Sequence, residues 1–497
     1  MDFLFSQFDK LYINGRWERP SGGAFEPVFN PATGAVLGEV PVADVTDVKA
    51  AIDAARYAFD HGPWPRMSYA ERILVLEKFQ KALLVRERQF RSLLRLEVGS
   101  TEMMTSSVQW GAVPSIFQYA LDLAARVRET SLPLTIMPNF FDPSGPARLS
   151  GAISSYEPKG VIAAITPYNF PLLINITKIV PALVTGNTMV LKPSPFTPYS
   201  ALLLGEVAAE SGLPAGVLNL VTGGIEAGEA LTTHPSVDMI TFTGSDIVGA
   251  AIMAQAAPTL KRVHFELGGK SALIIRSDAD LAMAARYAVS NITMNTGQGC
   301  RLNTRWLVHN SIRAKFAEMT KQVVGYMKVG DPADSSSMVG PLIREQARAR
   351  TEKFVEEALA AGSKLVFGGR RPAGLENGYF YEPTLFDDVD NNSALAQKEV
   401  FGPVGAMIGF DTDDEAVTLA NASDFGLHGG IFSADPATAL AMARQIRSGQ
   451  VWINGGPIGM TPTLPFGGFK RSGIGREYGE HWLLDFVEEK AIAFPVG

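Results

Sequence analysis

The sequence predicts an α/β fold whose first large unit is a doubly wound parallel sheet, and two observations carry this prediction. From residue 160 onward, short apolar runs without polar alternation are separated by stretches with helical patterning, which is typical of parallel strands covered on both faces. The chain is also long enough, at 497 residues with 46% hydrophobic residues, to bury a large core in two or more domains. The predicted strands are 161–165, 188–192, 217–222, 239–243 and 262–267.

The segment before this sheet is predicted to be helical and amphipathic. Apolar residues recur at helical spacing from Asp44 to Phe59, and Ser68-x-x-Glu71 is a capping box at the start of a further helix. Within the sheet region, Thr197-Pro198 predicts a helix start, because Thr can cap free N–H groups and Pro suits the first turn. Ligands of such folds bind beyond the carboxyl ends of the strands, where helix starts can meet phosphate.

A second α/β domain is expected after residue 270. The patterning predicts a helix from Asp280 to about Asn295, a strand at 305–308 and a helix at 312–327. The chain ends in a short alternating segment, Phe486 to Pro495, which is too isolated to be stable alone. We therefore expect this segment to pair with a strand elsewhere or in another subunit.

Composition excludes several classes of protein. There are 44 Lys plus Arg against 51 Asp plus Glu, and the net charge of -7 gives no overall basic field for nucleic acid. One cysteine and six scattered histidines without an HxxxH pair exclude a disulfide scaffold and a Cys-type zinc site, so no metal is expected.

No targeting or membrane segment is expected either. The start, Met1 to Lys10, lacks the basic and apolar regions of a signal peptide. The most apolar stretch, Val161 to Leu183, is interrupted by Pro, Asn and Lys and falls short of ~18 clean apolar residues. A cytoplasmic protein without a membrane partner is the resulting expectation.

Glycine-rich phosphate loops are weakly represented. G-x-G-x-x-G is absent, and Gly269-Lys270-Ser271 lacks the preceding Gly of a P-loop, since His264 occupies that position. Thr243-Gly244-Ser245 with Gly249 follows a strand and could approach a diphosphate. Taken alone, this pattern more often marks a tight strand-to-helix turn.

Three residues are candidates for chemistry. Cys300, in Asn295 to Arg301, follows a predicted helix in a glycine-rich loop that a substrate could approach; the alternative is a buried, inert thiol. Glu266 ends a strand and would otherwise be a loop acid paired with a Lys. Asn169 follows the first parallel strand and would otherwise be a turn residue.

The sequence resembles the aldehyde dehydrogenase superfamily from about Tyr12 to the C-terminus. Each motif is weak alone, but seven in the family's order and spacing make coincidence negligible. They are PYNFP (167–171), LKPS (191–194), FTGS (242–245) with Gly249, FELGGK (265–270), GQGC (297–300), EVFGP (399–403) and PFGGFKRSGIGRE (465–477).

The resemblance implies roles for the three candidates. Cys300 would be the nucleophile that adds to an aldehyde, and Asn169 with the Cys300 backbone N–H would hold the resulting oxyanion. After hydride transfer to a nicotinamide, Glu266 would activate the water that hydrolyses the thioester. If CoA replaced water, Glu266 would not be needed, so its presence argues against a CoA-acylating type. Retention of all three residues argues against a catalytically silent member.

The resemblance also implies a site for NAD or NADP. Lys192 would bind the adenosine ribose, Glu399 the nicotinamide ribose, and Gly244 with Ser245 would face the diphosphate, while Phe401 would pack near the nicotinamide ribose. Many members that use NAD have a Glu where Pro195 stands, so the cofactor preference stays open. The remaining cofactor-binding positions are Thr166, Pro167, Ser194 and Gly249.

The expected substrate is a medium-sized apolar or aromatic aldehyde. The positions that match the family's substrate tunnel are apolar or small, and Thr177 stands where many members have Trp. Arg301, beside the nucleophile, would serve a polar substituent or turn away into a structural ion pair. The tunnel positions are Phe170, Leu173, Thr177, Met294, Arg301 and Ile458, the last within the loop 457–460.

The resemblance finally implies a division of the chain into two domains and an oligomerisation element, and it implies a homo-oligomer. The cofactor-binding domain would comprise 1–136 and 159–267, the catalytic domain 268–479, and a small β oligomerisation element 137–158 and 480–497. The C-terminal strand would pair across a subunit interface, which gives a homodimer or a homotetramer.

Overall fold

The computed structural model describes residues 6–457 and 461–496. Its helices and strands form two large sheets with helical layers, a small three-stranded sheet and two two-stranded ribbons. The strands are β1 Leu11–Ile13, β2 Arg16–Glu18, β3 Phe25–Phe29, β4 Val36–Pro41, β5 Thr130–Met137, β6 Arg148–Pro158, β7 Val161–Ile165, β8 Thr188–Lys192, β9 Leu218–Leu220, β10 Met239–Thr243, β11 Arg262–Glu266, β12 Ala272–Ile275, β13 Arg305–His309, β14 Lys364–Phe367, β15 Thr384–Asp387, β16 Val404–Phe410, β17 Phe425–Gly426, β18 His428–Phe432, β19 Gln450–Ile453, β20 Phe469–Lys470, β21 Gly473–Ile474 and β22 Val487–Pro495.

The helices lie mainly between these strands. They are α1 Val45–Asp60, α2 Tyr69–Val85, α3 Glu87–Val98, α4 Glu102–Met104, α5 Val113–Ala124, α6 Pro171–Val184, α7 Tyr199–Ser211, α8 Ile225–Thr233, α9 Asp246–Ala256, α10 Leu281–Thr293, α11 Arg313–Val324, α12 Glu345–Ala360, α13 Ala394–Gln397, α14 Asp413–Asn421 and α15 Pro436–Ala443. In this part of the chain no helix combines the length and the hydropathy that crossing a bilayer requires.

The first large sheet has the order β2-β1-β9-β8-β7-β10-β11-β21. Its five central strands, β9 to β11 in this order, are parallel and buried, and the outer strands β1, β2 and β21 are antiparallel additions. All five predicted strands are present, although the third is shorter than 217–222. The doubly wound α/β prediction is confirmed.

The second large sheet has the order β14-β15-β16-β13-β12-β18-β19 and is parallel except for β14. The predicted helix at 280–295 corresponds to α10, whose N-cap is Asp280. The predicted strand at 305–308 is β13, and the predicted helix at 312–327 is α11. This confirms a second α/β unit after residue 270.

Of the two helix caps predicted from the sequence, the structure confirms one and contradicts the other. Asp44 caps α1, and the Ser68/Glu71 capping box opens α2. The predicted Thr197 cap of α7 is wrong, since the Thr197 hydroxyl has no partner within the described residues and no side chain of that segment caps the helix. The Glu97 carboxylate, from α3, takes this place and accepts from the first N–H groups of α7.

The small sheet has the order β22-β6-β5 and is antiparallel. The C-terminal strand β22 pairs with β6 of the same chain over its whole length, from Val487 opposite Pro158 to Pro495 opposite Ser150. The C-terminal segment thus pairs with a strand elsewhere in the chain, which was one of the two expected alternatives. Pairing of the other edge of β22 with a strand of another subunit stays a prediction. The predicted division into domains stays a prediction, although the small sheet already begins at Thr130.

The strand order brings distant segments of the chain to one edge of the first sheet. Strands β7, β10 and β11 are neighbours and parallel, so Ile165, Thr243 and Glu266 end side by side. The turns that follow these strands start at Thr166, Gly244 and Leu267. The candidate site lies where this edge faces the loop that carries Cys300.

Candidate active site

Cys300 and Glu266 lie in the wall between two cavities. The wide cavity has a volume of about 330 Å³ and the narrow cavity about 80 Å³. Four of the described residues line both of them: Ile174, Thr243, Glu266 and Cys300. A thiol and a carboxyl group are therefore accessible from two sides, as expected where two different molecules must meet.

The loop before Cys300 has an unusual backbone. Asn295 and Thr296 have φ values of 46° and 58°, in the left-handed region that residues with side chains rarely adopt. The Asn295 amide donates to the carbonyl oxygen of Asn169 at 3.0 Å, and the Thr296 hydroxyl donates to that of Gly340 at 2.9 Å. The surroundings thus hold the strained turn that positions the thiol.

Asn169 is held against this loop. It follows β7 just before α6, and its side-chain nitrogen donates to the carbonyl oxygen of Gln298 at 3.0 Å. Its backbone carbonyl accepts from Gln109 at 2.7 Å as well as from Asn295. Because one amide hydrogen remains after the bond to Gln298, the Asn169 side chain can still donate to an oxygen near Cys300.

Burial raises the pKa of the Cys300 thiol to about 12, and the nearby carboxyl groups of Glu266 and Glu399 add to this effect. At neutral pH the thiol is therefore protonated in the free protein. Forming the nucleophilic thiolate requires a nearby base or a change in the surroundings.

Glu266 is almost completely buried, with 2% of its surface exposed. Neither carboxyl oxygen has a hydrogen-bond partner within the described residues, and Lys270 Nζ is likewise unpartnered there. The alternative of a loop acid paired with a lysine is therefore wrong. Burial raises the pKa of Glu266 well above its usual value, and the like charge of Glu477 raises it further. An unpartnered carboxyl group with a raised pKa is suited to accept and release protons near neutral pH.

A buried ion pair lies beside Glu266 and was not anticipated from the sequence. Lys178 Nζ donates to Glu477 at 3.1 Å and to the hydroxyl of Thr241 at 3.0 Å, and both charged side chains are buried. Glu477 also lines the narrow cavity. It belongs to the PFGGFKRSGIGRE motif, which was the only signal that could have pointed to it.

The wide cavity contains about half of the predicted cofactor positions. Pro167, Gly244, Ser245, Glu399 and Phe401 line it, and Phe401 meets the ring of Tyr168 edge-on at 6.0 Å. Arg344 and Arg350 also line it and were not predicted.

The other predicted cofactor positions do not line this cavity. Lys192 is buried and donates to the carbonyl oxygen of Gly223 at 2.9 Å, while burial lowers the pKa of its ammonium group to about 8. The Thr166 hydroxyl donates to Asn175, and the Ser194 hydroxyl accepts from Phe196 N. Gly249 lies inside α9, where a Cβ would approach the Leu267 side chain to 2.9 Å. Glycine at this position therefore lets α9 pack closely against Leu267.

Glu399 is anchored at the glycine pair after β11. Its carboxylate accepts from Gly269 N at 3.0 Å, and a Cβ on Gly268 would approach Glu399 Oε2 to 2.6 Å, so only glycine permits this contact. Burial raises the pKa of Glu399 to about 7.

The donors and acceptors around the wide cavity suit a dinucleotide. Gly244 and Ser245 stand at the N-terminus of α9, where free N–H groups and the helix dipole favour an anion such as a diphosphate. Arg344 and Arg350 add positive charge, and the second oxygen of Glu399 can accept from ribose hydroxyls. The residues present therefore fit NAD or NADP.

The narrow cavity contains four of the six predicted tunnel residues, namely Phe170, Leu173, Met294 and Arg301. Thr177 does not line it; its hydroxyl donates to the Leu173 carbonyl oxygen and shares a hydrogen bond with the Tyr478 hydroxyl at 3.0 Å, and Tyr478 lines the cavity in its place. Ile458, with Gly459 and Met460, lies outside the described residues. Lining residues without a prediction are Val108, Ile174, Thr243, Gly299, Leu302, Phe466, Glu477 and Tyr478.

Arg301 forms no ion pair or hydrogen bond with residues 6–457 or 461–496. Its guanidinium group instead lies over the ring of Trp452, 4.4 Å from the centroid. The alternative of a structural ion pair is therefore wrong. Within the described part of the chain no group of three His, Cys, Asp or Glu residues is placed to hold a metal ion.

Comparison with known proteins gives a consistent result. The model of the aldehyde dehydrogenase family matches residues 17–492. A curated relative, 3-succinoylsemialdehyde-pyridine dehydrogenase from a Pseudomonas species, is 37% identical over 487 residues, which is 98% of each chain.

Two solved structures are similar over nearly the whole chain. The Mycobacterium tuberculosis aldehyde dehydrogenase complexed with NAD+ has a TM-score of 0.92 and 42% identity, covering 99% of both chains. A mutant of aldehyde dehydrogenase C from Pseudomonas syringae, complexed with NAD+ and octanal, has a TM-score of 0.91 and 36% identity, covering 98% of this chain and 97% of that one.

Proposed function

The chain belongs to the aldehyde dehydrogenase family, and from this premise we propose that it oxidises an aldehyde to a carboxylic acid with NAD+ or NADP+. One observation carries the proposal: Cys300 and Glu266 form the wall between a cavity that suits a dinucleotide and a narrow cavity lined mainly by apolar side chains. An aldehyde in the narrow cavity and a nicotinamide in the wide one would meet at the thiol.

The first step is addition of Cys300 to the aldehyde carbon. The thiol loses its proton, the sulfur forms a bond to carbon, and the carbonyl oxygen becomes the oxyanion of a thiohemiacetal. The remaining amide hydrogen of Asn169 and the Cys300 backbone N–H are placed to stabilise this oxyanion. The raised pKa of the thiol makes a proton acceptor necessary, and Glu266 is the carboxyl group at hand.

When bound, the nicotinamide supplies the acceptor for the hydride that leaves the thiohemiacetal carbon. The chain's part in this step is to keep the carbon near the wide cavity and to exclude water from it. Apolar side chains such as Phe170, Leu173 and Met294 do so on the substrate side. The product is a thioester on Cys300.

Glu266 then serves hydrolysis of the thioester. As a carboxylate it accepts a proton from a water molecule, whose oxygen attacks the carbonyl carbon of the thioester. The bond between this carbon and the Cys300 sulfur then breaks, which restores the free cysteine and releases the carboxylic acid. Both oxygens of Glu266 are free of other partners within the described residues, which favours this role over a structural one.

We further infer the cofactor preference, the size of the substrate, the oligomeric state and the cellular compartment. NAD+ is favoured as cofactor because both solved relatives named above were complexed with it, while Pro195 offers no charge for or against a 2′-phosphate. The apolar lining supports a medium-sized aldehyde, and the exposed apolar side chains of the small sheet support a homodimer or homotetramer. The single free thiol suits the reducing cytoplasm.

A panel of aldehydes assayed with NAD+ and with NADP+ tests the proposal. Formation of reduced nicotinamide and of one carboxylic acid per turnover is expected, and Cys300→Ser is the matched inactive control. Turnover that requires CoA would identify the acylating type instead. Absence of turnover with every aldehyde, while cofactor binding persists, would favour a catalytically silent member and overturn the proposal.

A further inference from the structure

Arg301 is the one cation that lines the narrow cavity among the described residues, and no carboxylate there forms an ion pair with it. Three ionisable side chains with a formal charge line this cavity: Glu266, Glu477 and Arg301. Glu477 is neutralised by Lys178 at 3.1 Å, and burial keeps Glu266 protonated to higher pH than an exposed Glu. Neither carboxyl group pairs with Arg301, so its guanidinium group has no ionic partner among the described residues.

The guanidinium group has an aromatic partner but no hydrogen-bond acceptor among residues 6–457 and 461–496. It lies 4.4 Å from the centroid of the Trp452 ring, and the His428 ring packs nearly perpendicular to that ring, with the two centroids 4.9 Å apart. The segment 458–460 adds no carboxylate, because its sequence is Ile-Gly-Met. A planar group with five N–H donors thus lines the cavity, and none of these donors has an acceptor among the described residues.

Leaving such a group without an acceptor is costly, since burial lowers the pKa of Arg301 and disfavours its charge. Stacking on an aromatic ring compensates only part of this cost, because a cation–π contact satisfies none of the N–H donors. A planar carboxylate is the group whose two oxygens match the guanidinium fork. Sites of this kind discriminate by leaving buried donors unpaired when the wrong ligand binds.

We propose that Arg301, which stacks on Trp452, is a specificity-determining residue that binds an anionic group, a carboxylate foremost, of the aldehyde substrate. This inference rests on the proposed function and narrows it. The preferred substrate is then an aldehyde acid with an apolar body, whose body contacts Phe170, Leu173 and Met294 while its carboxylate meets Arg301.

The test compares straight-chain aldehydes ending in a carboxylate with methyl esters of the same length. The wild type should prefer the carboxylates. Arg301→Met, which keeps an apolar stem and removes the charge, should lower kcat/KM for the carboxylates by about 30-fold or more, mainly through KM. The esters should change by less than about threefold, because they cannot form the charge-assisted pair. Arg301→Lys should restore part of the preference.

Two outcomes would overturn the inference. An equal loss on acids and esters would mean that Arg301 acts on Cys300, whose thiol pKa its charge lowers; the pH dependence of alkylation of the thiol would then shift in the variant. Wild type that oxidises the esters as well as the acids would refute the carboxylate subsite and leave the proposed function standing. If Arg301→Met does not fold, inhibition of wild-type ester oxidation by saturated dicarboxylates, with their diesters as controls, decides the same question.

Discussion

The carboxylate of Glu97 on α3 accepts hydrogen bonds from Tyr199 N at 2.9 Å and from Ser200 N at 3.0 Å, at the start of α7. A side chain 102 residues away in sequence therefore satisfies two N–H groups that a local residue normally caps. The Glu97 carboxylate thereby joins α3 to the segment that follows Lys192 and leads into α7. Burial raises the pKa of Glu97 to about 7, so this link is sensitive to pH.

Removal of the Glu97 side chain should destabilise the protein. Glu97→Ala leaves two buried N–H groups without acceptors, and we expect a loss of about 1–3 kcal/mol in the free energy of unfolding. Glu87→Ala, on the same helix, removes an exposed partner of Arg91 and should cost less than about 1 kcal/mol. Urea unfolding monitored by circular dichroism measures both. Equal effects would contradict the capping role.

The stability of the protein should also depend on pH through Glu97. Because the pKa of Glu97 is higher in the folded protein than its ordinary value of 4.5, its contribution is present at low pH and is lost as pH rises through about 7. The wild type should therefore lose stability relative to Glu97→Gln between pH 5 and pH 8. A difference that is independent of pH would show that Glu97 does not titrate in this range.

Cys300→Ala should abolish dehydrogenase turnover and leave cofactor binding almost unchanged, because the thiol acts only in the chemistry. Cofactor affinity is measured by the fluorescence of bound reduced nicotinamide. In the cofactor-free wild type, the raised thiol pKa predicts slow alkylation by iodoacetamide, with a rate that rises about tenfold per pH unit through the neutral range. Residual turnover above a few per cent, or an alkylation rate that levels off near pH 7, would contradict these roles.

The sequence could predict that the candidate residues come together, but it predicted only part of their surroundings. Asn169, Glu266 and Gly244 follow parallel strands, whose carboxyl ends meet at one sheet edge, so their proximity could be expected. Glu97 could not be assigned to α7, because nothing in a sequence links a buried acid to a helix start so far away. The contact between Arg301 and Trp452 could not be predicted either, since the sequence does not indicate which cation packs against an aromatic ring in a β-strand.

Local patterns were reliable where both partners are close in sequence and misleading where the fold supplied a competitor. The Ser68/Glu71 box caps its helix as predicted. Thr197 does not cap α7, because the Glu97 carboxylate accepts the hydrogen bonds of the first N–H groups of this helix. Thr177 was assigned to the tunnel by position, yet its hydroxyl is hydrogen-bonded to that of Tyr478, and Tyr478 lines the cavity instead.

The Lys178–Glu477 pair should be more important than a surface ion pair. Lys178→Met leaves the buried Glu477 without its partner, and we expect a loss of about 3–5 kcal/mol in stability. Lys49→Met, which removes the exposed pair with Asp53, should cost less than about 1 kcal/mol. Glu477→Gln should shift the acidic limb of the kcat profile to lower pH, since a like charge that raises the pKa of Glu266 is removed. An unchanged limb would contradict this coupling.

The small sheet should mediate self-association. Leu134 and Ile136 on β5 are 62% and 72% exposed, and Phe494 on β22 is 45% exposed, so one sheet presents several apolar side chains to solvent. We expect sedimentation of a dimer or tetramer at micromolar concentration, and a smaller species for the double variant Leu134→Glu, Ile136→Glu. Tyr326→Glu, at an equally exposed position of the second large unit, should leave the assembly intact. A wild-type monomer would refute the expectation.

The last prediction concerns Glu266 and separates hydrolysis from the earlier steps. Since Glu266→Gln retains the thiol, mixing it with aldehyde and NAD+ should give a burst of reduced nicotinamide near one per active site. Turnover should then stall at the thioester, because loss of a general base typically costs about 10²- to 10⁴-fold. Intact mass spectrometry should detect Cys300 carrying the acyl group, and added CoA should not accelerate the wild type.

Loss of both burst and turnover in Glu266→Gln would have a different meaning. Among the described residues, Glu266 is the carboxyl group that lines both cavities together with Cys300, so it can also serve as the acceptor of the thiol proton. In that case the burst should return as pH is raised and the thiolate forms without a base, whereas hydrolysis should remain slow. A variant that turns over within a few-fold of the wild type at every pH would show that neither step depends on Glu266, and the hydrolytic mechanism would then need another base.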